Sequence, residues 1–512
     1  MPKKNRIEEQ ENAAKAVKPL DHSTAPLFDR LVAAGERRAV SFHVPGHKSG
    51  AGAPLGAERW FESVMRLDLT EIPGLDDLHD PQGVILDAQR LAADAFGADR
   101  TFFLVGGSTA GNLALILSCC GRGDLLIVQR DAHKSVLHGL MLAGARAVFI
   151  RPRIDPDSGL SLGVDEADLR AALAEFPQAK AVLLTHPSYY GFGADLRALA
   201  DLAHAHGKPL FVDQAHGAHF GWHPRFPASA MQCGADAAVQ SAHKMLNALT
   251  MGAMLHLRGT RADADRVAAV LAMIQSSSPS YPIMASLDLC RRDLMTGGAE
   301  RLAAAAGLLD DVRRRIRESG LPFGVVEPDV PRSIADPLKL ALYDRTGRMT
   351  GYALLDELER RGCVAELADP RHVLLVASAA TDEGSAEALL SALRDIAIAE
   401  FPQQKQEMDA VTANNIHMNL WPVISEPILF FPPAERAAAA SSAKSIPLQL
   451  CAGMRSAEMI VPYPPGIPLL FPGELISTAA VELLQALRDH GARIQGASDP
   501  SLRTLRVTDG AG

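Results

Sequence analysis

The stretch Val212-Asp213-Gln214-Ala215-His216-Gly217-Ala218-His219 is followed along the chain by Ser241-Ala242-His243-Lys244-Met245. Asp213 ends an apolar run that is typical of a short buried strand, and Lys244 lies on a later loop. An acid and a lysine in this order are what pyridoxal phosphate (PLP) chemistry requires. The lysine amine forms a Schiff base with the cofactor aldehyde. The carboxylate keeps the pyridine nitrogen protonated, so that the ring can accept electrons from a breaking bond.

Apolar strands alternate with helical stretches from about residue 85 to residue 260. Such alternation predicts an α/β fold with a mostly parallel sheet and helices on both faces. The predicted strands are Thr101–Val105, Leu125–Gln129, Ala147–Ile150, Ala181–Thr185, Leu210–Asp213 and Ala237–Gln240. The predicted helices are Pro26–Gly35, Leu113–Cys120, Ser135–Ala143, Leu196–His206 and Arg261–Met273.

The pattern changes near residue 300, where longer amphipathic helices flank strand-like pieces and favour a smaller α+β domain. The run Ala437–Ser442 is a low-complexity joint or helix start, and Val461–Pro468 is so rich in proline that we expect a rigid loop. We therefore expect a flexible tail over 1–22, an N-terminal segment over 23–84, a PLP-binding major domain over 85–300, a small α+β domain over 301–400 and a C-terminal domain with a loose tail over 401–512.

Composition excludes several classes of protein. The chain has 512 residues, 47% hydrophobic and 22% charged content and a formal net charge of −9, which is typical of a soluble globular protein of two or three domains. This charge argues against nucleic-acid binding. The six cysteines form no CxxC pair, so we expect neither a disulfide framework nor a zinc site. No signal peptide or membrane span is visible, and the simplest interpretation is a cytoplasmic protein.

Val105-Gly106-Gly107-Ser108-Thr109-Ala110-Gly111-Asn112 follows a predicted strand and opens a helix. Its small residues let backbone amides approach an anion, and the hydroxyls of Ser108 and Thr109 can donate to a phosphate at the helix N-terminus. A tight strand–helix turn capped by serine explains this stretch equally well. The stretch matches neither GxGxxG nor GxxxxGK[ST], which disfavours dinucleotide and P-loop sites.

Histidines follow two of the predicted strands. His133 comes directly after the second strand, where its ring could stack on a flat cofactor, although a simple loop histidine is the alternative. His216 and His219 have the i, i+3 spacing of metal ligands, but no third ligand is marked, so we predict no metal site.

Three lysines follow a histidine, namely Lys48, Lys134 and Lys244. Lys48 precedes the glycine-rich stretch, and Lys134 begins a helix where it would face solvent. Lys244 follows a strand, lies downstream of Asp213 and has Ser241 and His243 beside it to reach a phosphate. A surface lysine is the usual alternative. The order of these elements favours Lys244 as the cofactor lysine.

These motifs, together with Phe42-His43-Val44-Pro45-Gly46-His47-Lys48 and the proline-rich run at 462–468, resemble the Orn/Lys/Arg decarboxylase family. The match spans residues 42 to 474, and it is closest to the short, Bacillus-type arginine/lysine decarboxylases. Gln214 stands where that group commonly has glutamate. The resemblance implies the aspartate aminotransferase-like (fold type I) architecture.

The resemblance also implies roles for individual residues. Lys244 would hold PLP, Asp213 would pair with the pyridine nitrogen, and His133 would stack on the ring and help position the substrate. The remaining cofactor contacts are assigned to Ser108, Thr109, Thr185, His216, Ser241 and His243. In the family the segment containing His43–Lys48 reaches the site of a second subunit, which implies a homodimer or a higher homo-oligomer.

The implied reaction is PLP-dependent decarboxylation of a basic amino acid in polyamine biosynthesis. L-Arginine, giving agmatine and CO2, is the first choice, and lysine or ornithine is the alternative. Another fold type I enzyme, such as an aminotransferase or a carbon–carbon lyase, remains open, as does a non-catalytic regulatory homologue. A carboxylate must meet the cationic end of the substrate, and the candidates are Asp76, Asp77, Asp80 and Glu474.

Overall fold

The computed structural model describes residues 20–37, 40–328, 330–401, 420–432, 443–463 and 466–508. The predicted tail over 1–22 falls outside this range except for its last three residues. The low-complexity run over 437–442 and the last four residues also lie outside the described residues.

Nineteen strands are present in this part of the chain. They are β1 (Arg100–Leu104), β2 (Leu125–Gln129), β3 (Arg146–Ile150), β4 (Val182–Thr185), β5 (Phe192–Ala194), β6 (Leu210–Asp213), β7 (Ala237–Gln240), β8 (Ala253–Leu257), β9 (Phe323–Val325), β10 (Ser333–Ala335), β11 (Lys339–Asp344), β12 (Leu367–Ala368), β13 (His372–Val376), β14 (Ile428–Leu429), β15 (Lys444–Pro447), β16 (Arg455–Ser456), β17 (Val461–Pro462), β18 (Ile494–Gln495) and β19 (Thr504–Thr508).

The α-helices cover the faces of the main sheet and build much of the second half of the chain. They are α1 (Pro26–Gly35), α2 (Glu58–Leu67), α3 (Val84–Phe96), α4 (Gly107–Cys119), α5 (Lys134–Ala143), α6 (Glu166–Glu175), α7 (Leu196–Ala205), α8 (Ala242–Met245), α9 (Ala264–Ile274), α10 (Tyr281–Asp293), α11 (Ala299–Glu318), α12 (Gly351–Arg360), α13 (Glu383–Glu400) and α14 (Thr478–Asp489). Among the described residues, none of the helices combines the length and the apolar character needed to cross a bilayer.

The central layer is an eight-stranded sheet in the order β1-β8-β7-β6-β4-β2-β3-β14. The strands from β7 to β3 pair in parallel, whereas β8 runs antiparallel to both β1 and β7, and β14 runs antiparallel to β3. Six strands therefore point in one direction and end at one edge. The predicted α/β fold with a mostly parallel sheet is confirmed, and the two antiparallel strands β8 and β14 are additions to it.

The six predicted strands of the main sheet are confirmed within one residue, but the prediction for helix α4 is wrong at its start. The helix begins at Gly107 rather than at Leu113. Its small residues allow close helix–sheet packing. A Cβ atom on Gly111 would lie 2.7 Å from a methyl carbon of Val239 on β7. The glycines that suggested a loop therefore lie in a helix pressed against the sheet.

The second half of the chain forms smaller antiparallel sheets. One has the order β12-β13-β11-β9, and another has the order β15-β19-β16. The expected loop at 461–468 is partly wrong, because Val461–Pro462 pairs with Ile494–Gln495 as β17 and β18. Proline is tolerated in such a short edge pair. Pro464 and Pro465 lie outside the described residues.

A buried arginine joins the C-terminal region to the carboxyl edge of the main sheet. Arg130 follows β2 and is 2% exposed. Its guanidinium donates to both carboxylate oxygens of Glu474 at 2.9 and 2.7 Å, and to the carbonyls of Pro468 and Leu469 at 2.8 and 3.0 Å. The loop over 466–474 is thereby fixed beside the strand ends.

The N-terminal segment is anchored by a second buried ion pair. Asp288 and Arg291 of α10 are both 0% exposed and lie 2.7 Å apart. Asp288 accepts from the backbone N–H groups of Leu27 and Phe28 at the start of α1. Arg291 donates to the carbonyls of His22 and Thr24, so this one pair satisfies both sides of the chain entry into α1.

We expect Arg291→Ala to lower the free energy of unfolding by about 3–5 kcal/mol, because Asp288 is left as an uncompensated buried charge. The matched control is Arg292→Ala. Arg292 is the next residue and makes a looser, partly exposed pair with Asp29 at 3.8 Å, so its loss should cost no more than about 1 kcal/mol. Urea denaturation of the full chain measures both values. Equal small losses in the two variants would contradict the anchoring role of Asp288 and Arg291.

Candidate active site

Side chains from several successive elements meet at the carboxyl edge of the main sheet. Parallel strands carry the loops that follow them to the same edge, where ligands of open α/β sheets bind. One cavity at this edge is lined by six of the residues predicted from the sequence, namely Ser108, His133, Thr185, Asp213, His216 and Lys244.

Three predicted residues do not line this cavity. Thr109 is exposed in the first turn of α4. Ser241 is 0% exposed, and its hydroxyl has no hydrogen-bond partner among the described residues. The His243 ring donates from Nδ1 to the carbonyl of Gly252 at 3.1 Å.

Asp213 is held at the end of β6 by two neutral donors. It is 4% exposed. Its Oδ2 accepts from the amide of Asn112 on α4 at 2.8 Å, and its Oδ1 accepts from the N–H of Ala215 at 3.1 Å. Asn112 lies in the quoted glycine-rich stretch but was not predicted as a site residue. The carboxylate is thus fixed in direction, with no cation hydrogen-bonded to it in the described part of the chain.

The same amide links Asp213 to His133. Asn112 also donates to the Ser135 hydroxyl at 3.0 Å, and Ser135 Oγ lies 2.9 Å from Nδ1 of His133. His133 caps α5 by accepting from the Ser135 N–H. Burial lowers the pKa of His133 to about 4, so its ring is neutral at pH 7. A neutral flat ring beside the cavity suits stacking on an aromatic ligand.

Lys244 lies in the one-turn helix α8, directly after β7. Its side chain faces the cavity and has accessible surface there, yet protein atoms surround it, and this burial lowers the pKa of its amine. The nearby Asp213 carboxylate acts in the opposite direction. Nζ of Lys244 lies 3.0 Å from Nε2 of His216.

The other two lysines that follow histidines are engaged elsewhere. Lys134 donates to the side chain of Gln495 at 2.9 Å and lies over the ring of Tyr463. Lys48 donates to the carbonyl of His43. Of these three lysines, Lys244 is the one that lines the cavity.

His219 has a structural partner rather than a metal. Its Nε2 lies 2.9 Å from Oδ1 of Asp336, and both side chains are 0% exposed. This pair ties the loop after β6 to the start of β11. In the described residues no group of three or more His, Cys, Asp or Glu side chains is arranged to hold a metal ion.

The C-terminal region closes one side of the cavity. Gly466 has φ +88°, and a Cβ atom there would lie 3.3 Å from Nε2 of His133, so both conformation and space favour glycine. Its carbonyl accepts from the N–H of Lys134 at 3.2 Å. Ile467 lines the cavity. The proline-rich motif therefore reaches the residues that follow β2.

The acids predicted to meet a cationic substrate are occupied. Glu474 is committed to Arg130, so its carboxylate is not free. Asp76 accepts from four backbone N–H groups between Gln82 and Leu86 at the start of α3. Asp77 accepts from the N–H of His79, and Asp80 accepts from the side chain of Gln82.

Other functional groups at the cavity were missed. Asp131 lines it, and burial raises the pKa of its carboxyl. Tyr189 packs its ring 4.1 Å from that of His216. Lys339 of β11 places Nζ 3.0 Å from Nδ1 of His216. Asp131 stands within the quoted Arg130–Ser135 run and could have been found there. Lys339 carries no local signal, because the fold alone brings β11 to this edge.

The descriptions of known families decide the broader assignment. The model described as "Orn/Lys/Arg decarboxylase, major domain" matches residues 25–326, and the model of the C-terminal domain of the same family matches residues 423–499. The chain belongs to the Orn/Lys/Arg decarboxylase family. The resemblance inferred from the motifs is thereby confirmed.

Curated relatives agree over nearly the whole chain. An "Uncharacterized protein YaaO" of Bacillus subtilis is 40% identical over 478 residues, which cover 92% of this chain and 96% of the relative. An "Arginine decarboxylase" of the same organism is 36% identical and covers 95% of this chain and 98% of its own length. The "Lysine decarboxylase LdcA" of Pseudomonas aeruginosa is more distant, with 25% identity over 90% of this chain and 75% of the relative.

Solved structures confirm the fold. The constitutive lysine decarboxylase of E. coli aligns with a TM-score of 0.78 at 22% identity and covers 99% of this chain and 84% of its own. A structure described as "SPT with PLP" aligns with a TM-score of 0.51 at 18% identity over 72% of this chain and 84% of its own. The architecture is that of fold type I PLP enzymes.

We expect the free energy of unfolding of the cofactor-free chain to fall as the pH drops from 6.5 to 4.5. Burial lowers the pKa of both His133 and His186 to about 4, so the unfolded chain binds protons in this range that the folded chain does not. The fully buried His186 alone would account for about 2–3 kcal/mol. Carboxyls such as Asp369, with a pKa of about 2, titrate below this window.

His133→Asn provides the matched variant for this pH dependence. Asparagine also caps a helix but does not titrate, so the variant should lose less stability than the wild-type chain between pH 6.5 and 4.5. Urea denaturation at the two pH values measures the difference. A stability that stays constant or increases on acidification would contradict the neutral buried imidazoles.

Proposed function

We propose that this chain is a PLP-dependent decarboxylase of a basic amino acid and that L-arginine is its substrate. The observation that carries the proposal is the placement of Lys244 and Asp213 on one cavity of a chain that belongs to the Orn/Lys/Arg decarboxylase family. The order of these two residues along the chain suggested the same chemistry before their positions in space were known.

The donor groups at the cavity fit PLP. The hydroxyls of Ser241 and Thr185 are buried without a hydrogen-bond partner in the described part of the chain, which leaves both available to a ligand. Ser108 stands in the first turn of α4, where backbone N–H groups and the helix dipole favour a phosphate. We assign the phosphate to this helix start and the Ser241 side, and the pyridine nitrogen to Asp213.

The residues of the chain would divide the chemistry as follows. When bound, PLP supplies an electron sink for the pair released as the bond between the α-carbon and the carboxylate breaks. Asp213 holds a proton on the pyridine nitrogen. His133, neutral and fixed by Ser135, covers the ring. Lys244 anchors the cofactor and then carries a proton to the α-carbon.

The choice of arginine is supported by relatives named arginine decarboxylase at 35–36% identity over most of the chain. Lysine and ornithine are the alternatives, because more distant relatives are named lysine decarboxylase. Asp131, which lines the cavity, replaces Glu474 as the candidate acid for the cationic end of the substrate. A cytoplasmic location and a role in polyamine supply go with this function.

We also propose a homodimer in which residues 40–61 contribute to the second subunit. This stretch presents large apolar side chains to solvent in the single chain. Their exposed fractions are 92% for Phe42, 67% for Val44, 100% for Leu55 and 73% for Trp60. Contiguous apolar surface of this kind is typical of a protein interface.

Purified protein supplied with PLP should release CO2 and agmatine from arginine faster than it releases the corresponding amines from lysine or ornithine. Lys244→Ala should lose the activity by at least about 1,000-fold, because no amine remains to anchor the cofactor or to move the proton. Chromatography of the amine products and captured CO2 measure both. A keto acid with pyridoxamine phosphate would indicate an aminotransferase, and no turnover of any of the three substrates would contradict the proposal.

A further inference from the structure

His216 lies between two lysine amines. Its Nε2 is 3.0 Å from Nζ of Lys244, and its Nδ1 is 3.0 Å from Nζ of Lys339. The Lys339 amine also donates to the carbonyl of Tyr189 at 2.5 Å, and the Tyr189 ring packs against the imidazole. Lys339 belongs to β11, in a different sheet from the strands that carry Asp213 and Lys244. It has no part in the proposed chemistry described above.

The donor and acceptor roles in this row of nitrogens follow from chemistry. A lysine ammonium has three donors and no acceptor, so the Nδ1 atom that faces it must be the unprotonated nitrogen. Burial and the two flanking lysines lower the pKa of His216, so the ring is neutral and carries its single proton on Nε2. That proton points at Nζ of Lys244, which can accept it only as a neutral amine with a free lone pair.

The charge on Lys339 is maintained by its own surroundings. Burial lowers the pKa of the Lys339 amine to about 8, while Asp336 and Glu366 act to raise it, so the amine is protonated at pH 7. Lys244 faces it across the imidazole, and His133 and His243 are the other titratable groups acting on His216. The buried Asp336 is fixed in turn by His219.

We propose that Lys339 is a positioning residue that fixes the tautomer of His216 and thereby holds the amine of Lys244 neutral and nucleophilic. A neutral amine is the form that can attack an aldehyde, so the row prepares Lys244 before any ligand arrives. The consequence for turnover rests on the proposed function. The state of Lys244 in the cofactor-free chain does not.

Two other roles for Lys339 make different predictions. A lysine that serves only to support the fold would change stability but not the titration of Lys244. A lysine that binds the substrate carboxylate directly would raise KM and would likewise leave the titration of Lys244 unchanged. The measurement must therefore report the protonation of one amine rather than activity.

Competitive acetylation of the full-length, cofactor-free protein with acetic anhydride gives this readout. The acetylated fraction of the peptide containing Lys244, measured by mass spectrometry across a range of pH, yields the midpoint at which this amine becomes reactive. The variants are Lys339→Met, which removes the charge, and Lys339→Arg, which keeps a donor. Lys208→Met is the matched control, because Lys208 is a lysine that donates to a backbone carbonyl away from the site.

In Lys339→Met we expect the midpoint for Lys244 to rise by about one pH unit, which makes the amine about tenfold less reactive at pH 7. Lys339→Arg and Lys208→Met should retain the wild-type midpoint. A Lys339→Met chain that unfolds cooperatively, as checked by circular dichroism, and keeps the wild-type midpoint would overturn the proposal. This result is independent of whether the protein decarboxylates any amino acid.

The part played by His216 is tested in the same experiment. His216→Phe keeps an aromatic ring against Tyr189 but breaks the row, so it should also raise the midpoint for Lys244. Adding Lys339→Met in that background should then change the midpoint by less than it does in the wild-type chain. Fully additive shifts would mean that Lys339 acts on Lys244 through space by its charge alone, which would refute the relay through His216.

Discussion

A nearly fully buried carboxylate determines what the rest of this site must provide. Asp213 is 4% exposed, and its oxygens accept only from the Asn112 amide and the Ala215 N–H among the contacts of the described residues. A buried carboxylate is costly unless its charge is compensated. Two neutral donors orient the group without neutralising it. A protonated pyridine ring in the cavity would supply the missing positive charge, so the buried acid favours PLP.

The direction of the strands explains why so many groups reach this carboxylate. β2, β4, β6 and β7 run in parallel, so the residues that follow them meet at a single edge. The later parts of the chain complete the site from outside the sheet. Arg130 holds the loop that brings Gly466 against His133, and the pair of His219 with Asp336 brings β11, and with it Lys339, against His216.

The sequence predicted the sheet and the chemistry that its strand ends carry, because both depend on local patterns. Apolar runs end at Asp213 and before Lys244, and their order alone indicated the cofactor lysine. It could not predict contacts made over long distances along the chain. Glu474 looked like a free acid because its partner Arg130 lies in another region, and Lys339 looked like any lysine because only the packing of β11 buries it. Small residues in α4 suggested a loop because their close packing against Val239 is a tertiary effect.

The attachment point of the cofactor tests the central claim most directly. The full-length protein would be loaded with PLP, reduced with borohydride so that the bond to the lysine becomes permanent, digested and analysed by mass spectrometry. We predict one modified peptide, with the adduct on Lys244. An adduct on Lys48, Lys134 or Lys339, or the absence of a stoichiometric adduct, would contradict the placement of the site at the ends of β6 and β7.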